Sequence, residues 1–260
     1  MPDDFDLRDR VAIVTGGGTG IGAATARVLA ERGADVVIAS RTAAELERVA
    51  AEIRDATGRR CVPVPTDVKV EEQVDHLVAR AVDELGRIDI LVNNAGGTRM
   101  GPLTHLTPKA WDSAFDLNAR AAYLCTRAVG PHMIEQGSGA IVNVSSGAGL
   151  TGVRGGAHYA SAKAALQMFT RVTAAEWARH GIRVNCVAVG LVASERAVDA
   201  WEVANLDRAA MTADVPLRRV GMPREVATAI LFFASDAASF VTGQTLAVDG
   251  GPTMGGIPDG

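Results

Sequence analysis

Hydrophobic residues occur along the chain in seven short runs, and longer segments with helical periodicity separate these runs. The runs are rich in Val and Ile and mostly lack polar alternation, which is typical of strands buried on both faces of a parallel sheet. We therefore predict a doubly wound α/β fold, with a seven-stranded parallel sheet and helices on both faces. The predicted strands lie within 11–16, 35–40, 61–67, 88–96, 139–146, 182–190 and 244–251.

The segments between the runs carry helix signals. Thr42 and Glu45 form a capping-box pattern, and apolar residues follow them at helical spacing. The segment 191–220 holds helical fragments but no strand, and we interpret it as a mobile substrate lid. The Gly- and Pro-rich tail from 250 to 260 is expected to be irregular. No linker or repeat divides the chain, so residues 1–260 are predicted to form a single domain.

Composition and charge exclude several functions. The formal net charge of −4 indicates no general basic surface for nucleic acid. The N-terminus lacks the apolar run of a signal peptide, and no uninterrupted apolar run of about 18 residues could span a membrane. Cys61, Cys125 and Cys186 are far apart, and neither they nor the histidines have metal-ligand spacing. We expect free buried thiols, no metal site and a cytoplasmic protein.

A glycine-rich stretch, TGGGTGIG, follows the first predicted strand and leads into a helical pattern. Backbone N–H groups at such a helix N-terminus, together with the helix dipole, favour a pyrophosphate. Gly16, Gly20 and Gly22 would allow the tight turn and the close approach of the phosphates. The alternative is a simple glycine-rich turn. The strand before the loop and the helix after it favour nucleotide binding.

Four further motifs follow the glycine loop, and together the five resemble the short-chain dehydrogenase/reductase family over about residues 7–251. The similarity is strongest to bacterial 3-oxoacyl-[acyl-carrier-protein] reductase-like members. It implies a Rossmann-like fold, an NAD(P)-dependent enzyme acting on CH–OH groups, and a homotetramer with its interface around 107–136 and 157–179. The four motifs are Asn93-Asn94-Ala95-Gly96, Asn118 with Ser146, Tyr159-x3-Lys163, and Val248-Asp249-Gly250-Gly251.

Tyr159 and Lys163 are four residues apart, and therefore lie on one face of the predicted helix. Reduction of a ketone needs a proton at oxygen, and a free tyrosine, with a pKa of about 10, is a poor donor near neutral pH. A neighbouring ammonium lowers the pKa of the tyrosine by stabilising the phenolate. The alternative is a surface tyrosine that packs on the stem of the lysine.

The resemblance implies a catalytic tetrad of Asn118, Ser146, Tyr159 and Lys163. In the family, the serine holds the substrate oxygen, and the asparagine interrupts a helix and carries a proton relay. Asn within a helix is locally unfavourable, which fits such a role, although a merely tolerated Asn is the alternative. His158 adjoins the tyrosine in sequence. Because side chains one residue apart on a helix point in different directions, we do not expect His158 to be a second acid.

The end of the second strand bears on cofactor choice. Ser40 and Arg41 stand where an acidic residue would select NAD, and Arg41 can bind a 2′-phosphate through two donors. We predict that NADP(H) is preferred. The glycine loop has Thr19 where some NADP enzymes of the family carry a basic residue, so NAD(H) use stays open. A solvated Arg41 is the alternative.

The resemblance implies further cofactor contacts around the sheet. Asp67 is expected to bind the adenine or to cap the following helix. Val189 replaces the family's usual Pro, which puts the local geometry beside the nicotinamide in doubt. The predicted cofactor-binding residues are Gly16, Thr19, Gly20, Ile21, Gly22, Ser40, Arg41, Asp67, Val68, Asn94, Ala95, Gly96, Tyr159, Lys163, Gly190, Val192 and Ser194.

The substrate is predicted to be a small ketone or secondary alcohol. Arg99 and Arg154 either line its entrance or are solvated. Trp201 and Met211 either cover it or anchor the lid. Two other functions stay open: reduction of a C=C bond in an enoyl or dienoyl thioester, and non-catalytic cofactor sensing. The intact tyrosine motif counts against both.

Overall fold

Seven parallel strands form one sheet, as predicted, and their order in the sheet is β3-β2-β1-β4-β5-β6-β7. The structure, a computed structural model, describes residues 3–203 and 205–252. Most of the predicted tail, 253–260, therefore lies outside the described residues, as does residue 204 in the predicted lid. The strands are β1 (Val11–Thr15), β2 (Asp35–Ser40), β3 (Cys61–Pro65), β4 (Ile90–Asn93), β5 (Gly139–Ser146), β6 (Ile182–Val189) and β7 (Thr245–Val248).

Helices cover both faces of this sheet. Within the described ranges, no helix is both long and apolar enough to cross a membrane. The α-helices are α1 (Gly20–Glu31), α2 (Ala43–Thr57), α3 (Glu71–Leu85), α4 (Pro108–Phe115), α5 (Ala121–Gln136), α6 (Ala148–Thr151), α7 (Ala157–Trp177), α8 (Glu195–Val203), α9 (Arg208–Thr212) and α10 (Pro223–Ala234).

Each face of the sheet has its own hydrophobic core. Along β1, Ala12 and Val14 pack into one cluster, with residues of α1, α2 and α10. Val11 and Ile13 point the other way, into a second cluster with residues of α3 and α5. Successive side chains of a strand alternate between faces, and here both faces are buried. That explains why the strand segments lack polar alternation.

The edge strand β3 contains two prolines, Pro63 and Pro65. Proline cannot donate to a ladder hydrogen bond, so it is tolerated where one side of a strand has no partner. β3 pairs only with β2 among the described strands, which is consistent with this composition.

The strand order reverses between β1 and β4, which are neighbours in the sheet but not along the chain. In open α/β sheets, ligands bind at such a switch point, outside the carboxyl ends of the strands. The glycine loop follows β1, and the Asn93–Gly96 segment follows β4. The two are joined because Thr15 Oγ1 accepts the backbone N–H groups of Asn94 and Ala95, at 3.0 and 3.1 Å.

The structure tests the predictions for the segment 191–220 and for the start of α2. The segment 191–220 contains α8 and α9 and no named strand in its described part, as expected. Thr42 does stand at the N-cap of α2, but its side chain makes no capping hydrogen bond. The capping-box prediction was therefore right about the start of the helix and wrong about the bond.

Candidate active site

A cavity of about 710 Å³ opens at the carboxyl ends of the strands. This volume is within the usual range for a small-molecule site. Two predicted site residues, Gly22 and Asn118, lie behind its lining. The predicted residues that line it are Gly16, Thr19, Gly20, Ile21, Ser40, Arg41, Asp67, Val68, Asn94, Ala95, Gly96, Ser146, Tyr159, Lys163, Gly190, Val192 and Ser194.

Gly22 supports the glycine loop from behind. A Cβ at Gly22 would overlap the Gly16 carbonyl oxygen and stand 2.5 Å from Asn94 Nδ2. The Asn94 amide in turn donates to the carbonyls of Thr15 and Gly16, at 2.9 and 3.3 Å. Asn94 thus ties the loop after β4 to the loop after β1, and only glycine leaves space for that link.

Asn118 lies in a π-helical turn, Asp116–Arg120, between α4 and α5. The expected interruption of the helix is therefore present. The Asn118 side chain is buried and exchanges two hydrogen bonds of 2.9 Å with the backbone of Gly97. It also donates to the Ala114 carbonyl at 2.9 Å. Both polar atoms of the Asn118 side chain therefore have partners, and the side chain holds the Gly97 backbone in place.

Gly96 separates Asn118 from Lys163. A Cβ on Gly96 would stand 2.9 Å from Asn118 Oδ1 and 3.0 Å from Lys163 Nζ. Both contacts are tighter than most real Cβ contacts. The polar ends of two predicted catalytic residues therefore converge on one glycine, next to the cavity.

Lys163 is 3% exposed, and its Nζ donates to the Val144 carbonyl at 2.8 Å. Burial disfavours the ammonium and lowers the pKa of Lys163 from 10.5 to about 8. Below that pH the group is charged, and its Nζ lies 5.8 Å from the centre of the Tyr159 ring. The two predicted partners are therefore neighbours, on α7.

The depressed pKa predicts that the protein becomes more stable as pH rises. Between about pH 8 and 10.5 the unfolded Lys163 binds more protons than the folded one, so the free energy of unfolding increases across this window. The gain is on the order of 3 kcal/mol. Urea unfolding at about pH 7.5 and pH 10, on wild type and Lys163→Met, checks this. Equal pH dependence in the two proteins would contradict it.

The pKa of Tyr159 is not lowered in this structure. Burial raises the pKa of Tyr159, and a hydrogen bond with Ser146 partly offsets that effect. The ammonium of Lys163 is not among the causes, whereas the spacing of the two residues led us to expect a lowered pKa. The physical reason is that desolvation of the phenolate dominates inside this cavity. Ser146 also donates to the Val189 carbonyl at 3.3 Å.

One end of the cavity lies beside β2 and α2, and we call it the adenosine end because the resemblance implies that the adenosine of a cofactor would bind there. It contains the predicted Ser40 and Arg41, and also Glu45, which the sequence analysis did not select as a ligand contact. Ser40 Oγ is buried without a hydrogen-bond partner in the described part of the chain. Glu45 Oε2 lies 3.2 Å from the position of a Cβ on Gly18. Its place in the first turn of α2, directly after β2, was the available signal.

Asp67 does not cap a helix. α3 begins at Glu71, and the Asp67 carboxylate instead accepts the backbone N–H of Lys69 at 3.0 Å. The alternative explanation for Asp67 is therefore wrong in detail, because the chain makes a short turn before the helix starts.

The segment after β6 approaches the glycine loop. The carbonyl of Val189, at the position of the family's proline, accepts the Gly147 N–H at 2.9 Å. Gly190 packs so closely on Asp249 that a Cβ would stand 2.6 Å from that residue's Cβ. The Cβ of Ser194 lies 3.0 Å from the position of a Cβ on Gly20. The last motif of the chain, Val248–Gly251, thus supports the cavity wall.

The remaining candidate side chains of the sequence analysis all lie outside the described cavity lining. Arg99 and Arg154 are exposed, and neither is among the described lining residues. Trp201 and Met211 are half-buried and also absent from that lining. Thr98, which the sequence analysis passed over, does line the cavity.

Known proteins share this architecture along nearly the whole chain. A family model described as enoyl-(acyl carrier protein) reductase matches residues 16–253. The cis-4-hydroxycyclohexanecarboxylate dehydrogenase of Sinomonas cyclohexanicum is 47% identical over 249 residues, which cover 94% of this chain and 97% of that protein. The chain belongs to the short-chain dehydrogenase/reductase family.

Two other similarities support this short-chain dehydrogenase/reductase assignment. The 3-oxoacyl-[acyl-carrier-protein] reductase of Synechocystis sp. is 42% identical over 252 residues, covering 95% of this chain and 98% of that protein. The crystal structure of NAD+-bound xylitol dehydrogenase has a TM-score of 0.90 at 30% identity, covering 94% of this chain and 99% of that one. The protein is therefore an NAD(P)(H)-dependent oxidoreductase that acts on CH–OH groups.

Proposed function

We propose that this short-chain dehydrogenase/reductase interconverts a ketone and a secondary alcohol, with NADP(H) preferred over NAD(H). The observation that carries the proposal is the convergence of Ser146, Tyr159 and Lys163 on one wall of the cavity that the glycine loop closes. In this proposal Tyr159 is the proton donor, Ser146 is the hydroxyl that holds an oxygen, and Lys163 is the buried cation. All three line the same cavity as the glycine loop.

The proposed chemistry of the protein is proton transfer and orientation. Tyr159 protonates the substrate oxygen in reduction and accepts that proton in oxidation. Ser146, whose hydroxyl lies on the same cavity wall as Tyr159, holds the same oxygen. Lys163 supplies positive charge beside the tyrosine ring, which favours the phenolate when proton transfer forms it. Asn118 fixes the Gly97 backbone next to them. We propose that a water held at this asparagine carries the relay that returns the proton to Lys163.

The residues present fit a nicotinamide dinucleotide. The loop from Gly16 to Gly20 leads into the N-terminus of α1, which favours phosphate. Ser40 Oγ is buried on the cavity wall and lacks a partner in the described residues, which fits a ligand hydroxyl or phosphate. When bound, the nicotinamide supplies or accepts the hydride.

The preference for NADP(H) rests on Arg41, which is exposed and lines the adenosine end of the cavity. Its guanidinium can bind a 2′-phosphate through two donors. Glu45 lines the same end and places a carboxylate there, which would repel that phosphate and suit ribose hydroxyls. We therefore expect a modest preference, with NAD(H) also accepted.

Arg41→Gln tests the cofactor preference. We expect the dissociation constant of NADPH to rise about 10- to 100-fold, since a charge-assisted bidentate contact is lost, while that of NADH changes less than about threefold. Tryptophan fluorescence titration measures both constants. Arg80→Ala, in an exposed pair with Glu84 on α3, is the control arginine. Equal weakening of both cofactors by Arg41→Gln would refute the proposed contact of Arg41 with the 2′-phosphate, and equal wild-type dissociation constants for NADPH and NADH would refute the preference.

We propose that the segment 191–220 covers the substrate. Ala197 and Ala200 of α8 line the cavity, and Ser194 contacts the glycine loop at Gly20. Hydrogen exchange with and without NADPH tests this, because a cover that closes on the bound cofactor gains protection. No change in exchange would speak against it.

We also propose a homotetramer assembled partly through α5 and α7. Tyr123 of α5 and Met168 and Val172 of α7 are exposed apolar side chains, and Tyr123 meets Phe169 edge to face at 6.5 Å. Such a patch favours burial against a second copy. Light scattering after size-exclusion chromatography tests the mass, and Met168→Glu should dissociate the assembly if the interface is correct.

A reducing cytoplasm suits the three cysteines. All are free and buried, and burial raises the pKa of Cys61 and of Cys125 to about 12. Thiols in this state are protonated and unreactive.

Cofactor oxidation with three substrate types tests the function. NADPH and NADH are each supplied with an acetoacetyl thioester, a crotonyl thioester and a simple cyclic ketone. Consumption with the thioester ketone or the cyclic ketone supports ketone reduction. Consumption with the crotonyl thioester alone would favour C=C reduction, in agreement with the enoyl reductase description of the family model. Tight cofactor binding without turnover of any compound would favour a sensor.

A further inference from the structure

His158 is buried beside Tyr159, although the proposed proton transfer makes no use of it. It is 2% exposed, and its Nε2 lies 2.8 Å from Thr98 Oγ1. Its Nδ1 is buried and has no hydrogen-bond partner in the described part of the chain. The burial of this polar ring needs an explanation, because burying a polar group without a hydrogen-bond partner costs free energy.

Thr98, the partner of that ring, lies on the cavity wall. The segment around it is held on both sides. Gly97 exchanges two hydrogen bonds with Asn118, and the Gly101 N–H donates to the Gly155 carbonyl at 2.8 Å. Between these two attachment points, His158 of α7, the helix that also carries Tyr159, contacts the Thr98 hydroxyl. The hydroxyl of Thr98 is therefore held in a fixed position in the same cavity as the tyrosine.

The unpartnered Nδ1 indicates where the protons of this pair lie. If the Thr98 hydroxyl donated to Nε2, the ring proton would be on Nδ1 and would form a buried N–H without an acceptor. With the proton on Nε2, the ring donates to Thr98 Oγ1, and Nδ1 keeps only an unused lone pair. The hydrogen-bond pattern thus assigns the Nε2–H tautomer.

In that arrangement the Thr98 hydroxyl proton is turned away from the ring. In the described residues the acceptor of this proton is the Arg99 carbonyl at 3.4 Å, which is long for a bond from a hydroxyl. A cavity-lining hydroxyl whose lone pair is occupied by a fixed donor is set up to donate to a ligand.

We propose that Thr98 donates a hydrogen bond to the substrate and that His158 is the positioning residue that orients it. This inference rests on the proposed function and narrows its substrate class. The substrate is a ketone with a second hydrogen-bond acceptor, such as the thioester carbonyl of a 3-oxoacyl group, in addition to the oxygen that Tyr159 protonates. A ketone without that acceptor leaves the Thr98 donor unpaired and is discriminated against.

Two matched compounds test the contact. One is an acetoacetyl thioester, and the other is the thioether of equal length in which a methylene replaces the thioester carbonyl. We expect the wild type to favour the thioester in kcat/KM. Thr98→Val, which keeps the shape, and His158→Leu, which removes the ring donor, should each lower the ratio of the two kcat/KM values about 10-fold, mainly through KM.

Conservative variants separate orientation from packing. Thr98→Ser keeps the hydroxyl and His158→Gln keeps an N–H donor, so both should retain most of the ratio. The double variant Thr98→Val/His158→Leu should lose no more than Thr98→Val alone, because His158 acts through Thr98. Additive losses, or equal losses on both compounds, would overturn the proposal.

Nitrogen NMR of the labelled imidazoles gives a readout that needs no substrate. With the His158 signals assigned by their loss in His158→Gln, the Nε2–H tautomer is expected, and the Nδ1–H tautomer would overturn the proposal. The kinetic outcomes distinguish a failure of the Thr98 contact from a failure of the proposed function. A wild type that reduces both compounds equally, or that reduces only the simple cyclic ketone, refutes the Thr98 contact alone. A wild type that reduces none of the three ketones refutes the proposed function and the contact with it.

Discussion

Tyr159→Phe is expected to reduce kcat for ketone reduction by about 10²- to 10⁴-fold, the usual contribution of a positioned general acid. The variant loses only the hydroxyl that carries the proton, and it keeps the ring beside Lys163. Cofactor binding should change less than about threefold. Steady-state kinetics with NADPH and fluorescence titration of NADPH measure the two quantities.

Tyr123→Phe is the matched control, because Tyr123 is the second tyrosine of the chain, lies outside the described cavity lining, and keeps its ring at the proposed interface in this variant. It should retain wild-type kcat. A Tyr159→Phe enzyme with full activity would remove the tyrosine from the mechanism. A variant that loses NADPH binding together with activity would mean that the hydroxyl serves the cofactor rather than the proton.

The second large effect is expected at Gly96→Ala. Its methyl group would stand 2.9 Å from Asn118 Oδ1 and 3.0 Å from Lys163 Nζ, so one of the two must move. Overpacking of this kind costs about 1–3 kcal/mol of stability. Since the displaced groups are the two that support Tyr159, we expect kcat/KM to fall about 100-fold or more.

Gly101→Ala serves as the control for Gly96→Ala. It lies on the same segment, and a Cβ there meets nothing within 4 Å. Its activity and its midpoint of thermal unfolding should stay close to those of the wild type. If Gly96→Ala behaves like Gly101→Ala in both measurements, the convergence of Asn118 and Lys163 on Gly96 is not needed for catalysis.

The fold was predictable because its strands are buried on both faces. Val11 and Ala12 belong to opposite cores, so the run reads as continuously hydrophobic, and the same holds along β2. The glycine loop was predictable for a related reason, since close approach at Gly22 excludes any larger residue.

Details that depend on tertiary contacts were not predictable. Thr98 reaches the cavity because Asn118 and Gly155 hold its segment there, and no local pattern indicates that. Glu45 faces the same cavity only because α2 begins next to the glycine loop. The i, i+4 spacing did bring Lys163 near Tyr159, but it could not reveal that burial raises the pKa of the tyrosine.

The most direct test of the account is to follow deuterium from NADPH labelled at the nicotinamide C4. The enzyme is given an acetoacetyl thioester and a crotonyl thioester together, and the products are analysed by mass spectrometry. Ketone reduction by the Tyr159 site predicts deuterium on the carbinol carbon of a 3-hydroxybutyryl product. Deuterium in a saturated butyryl product, with no labelled alcohol, would contradict it.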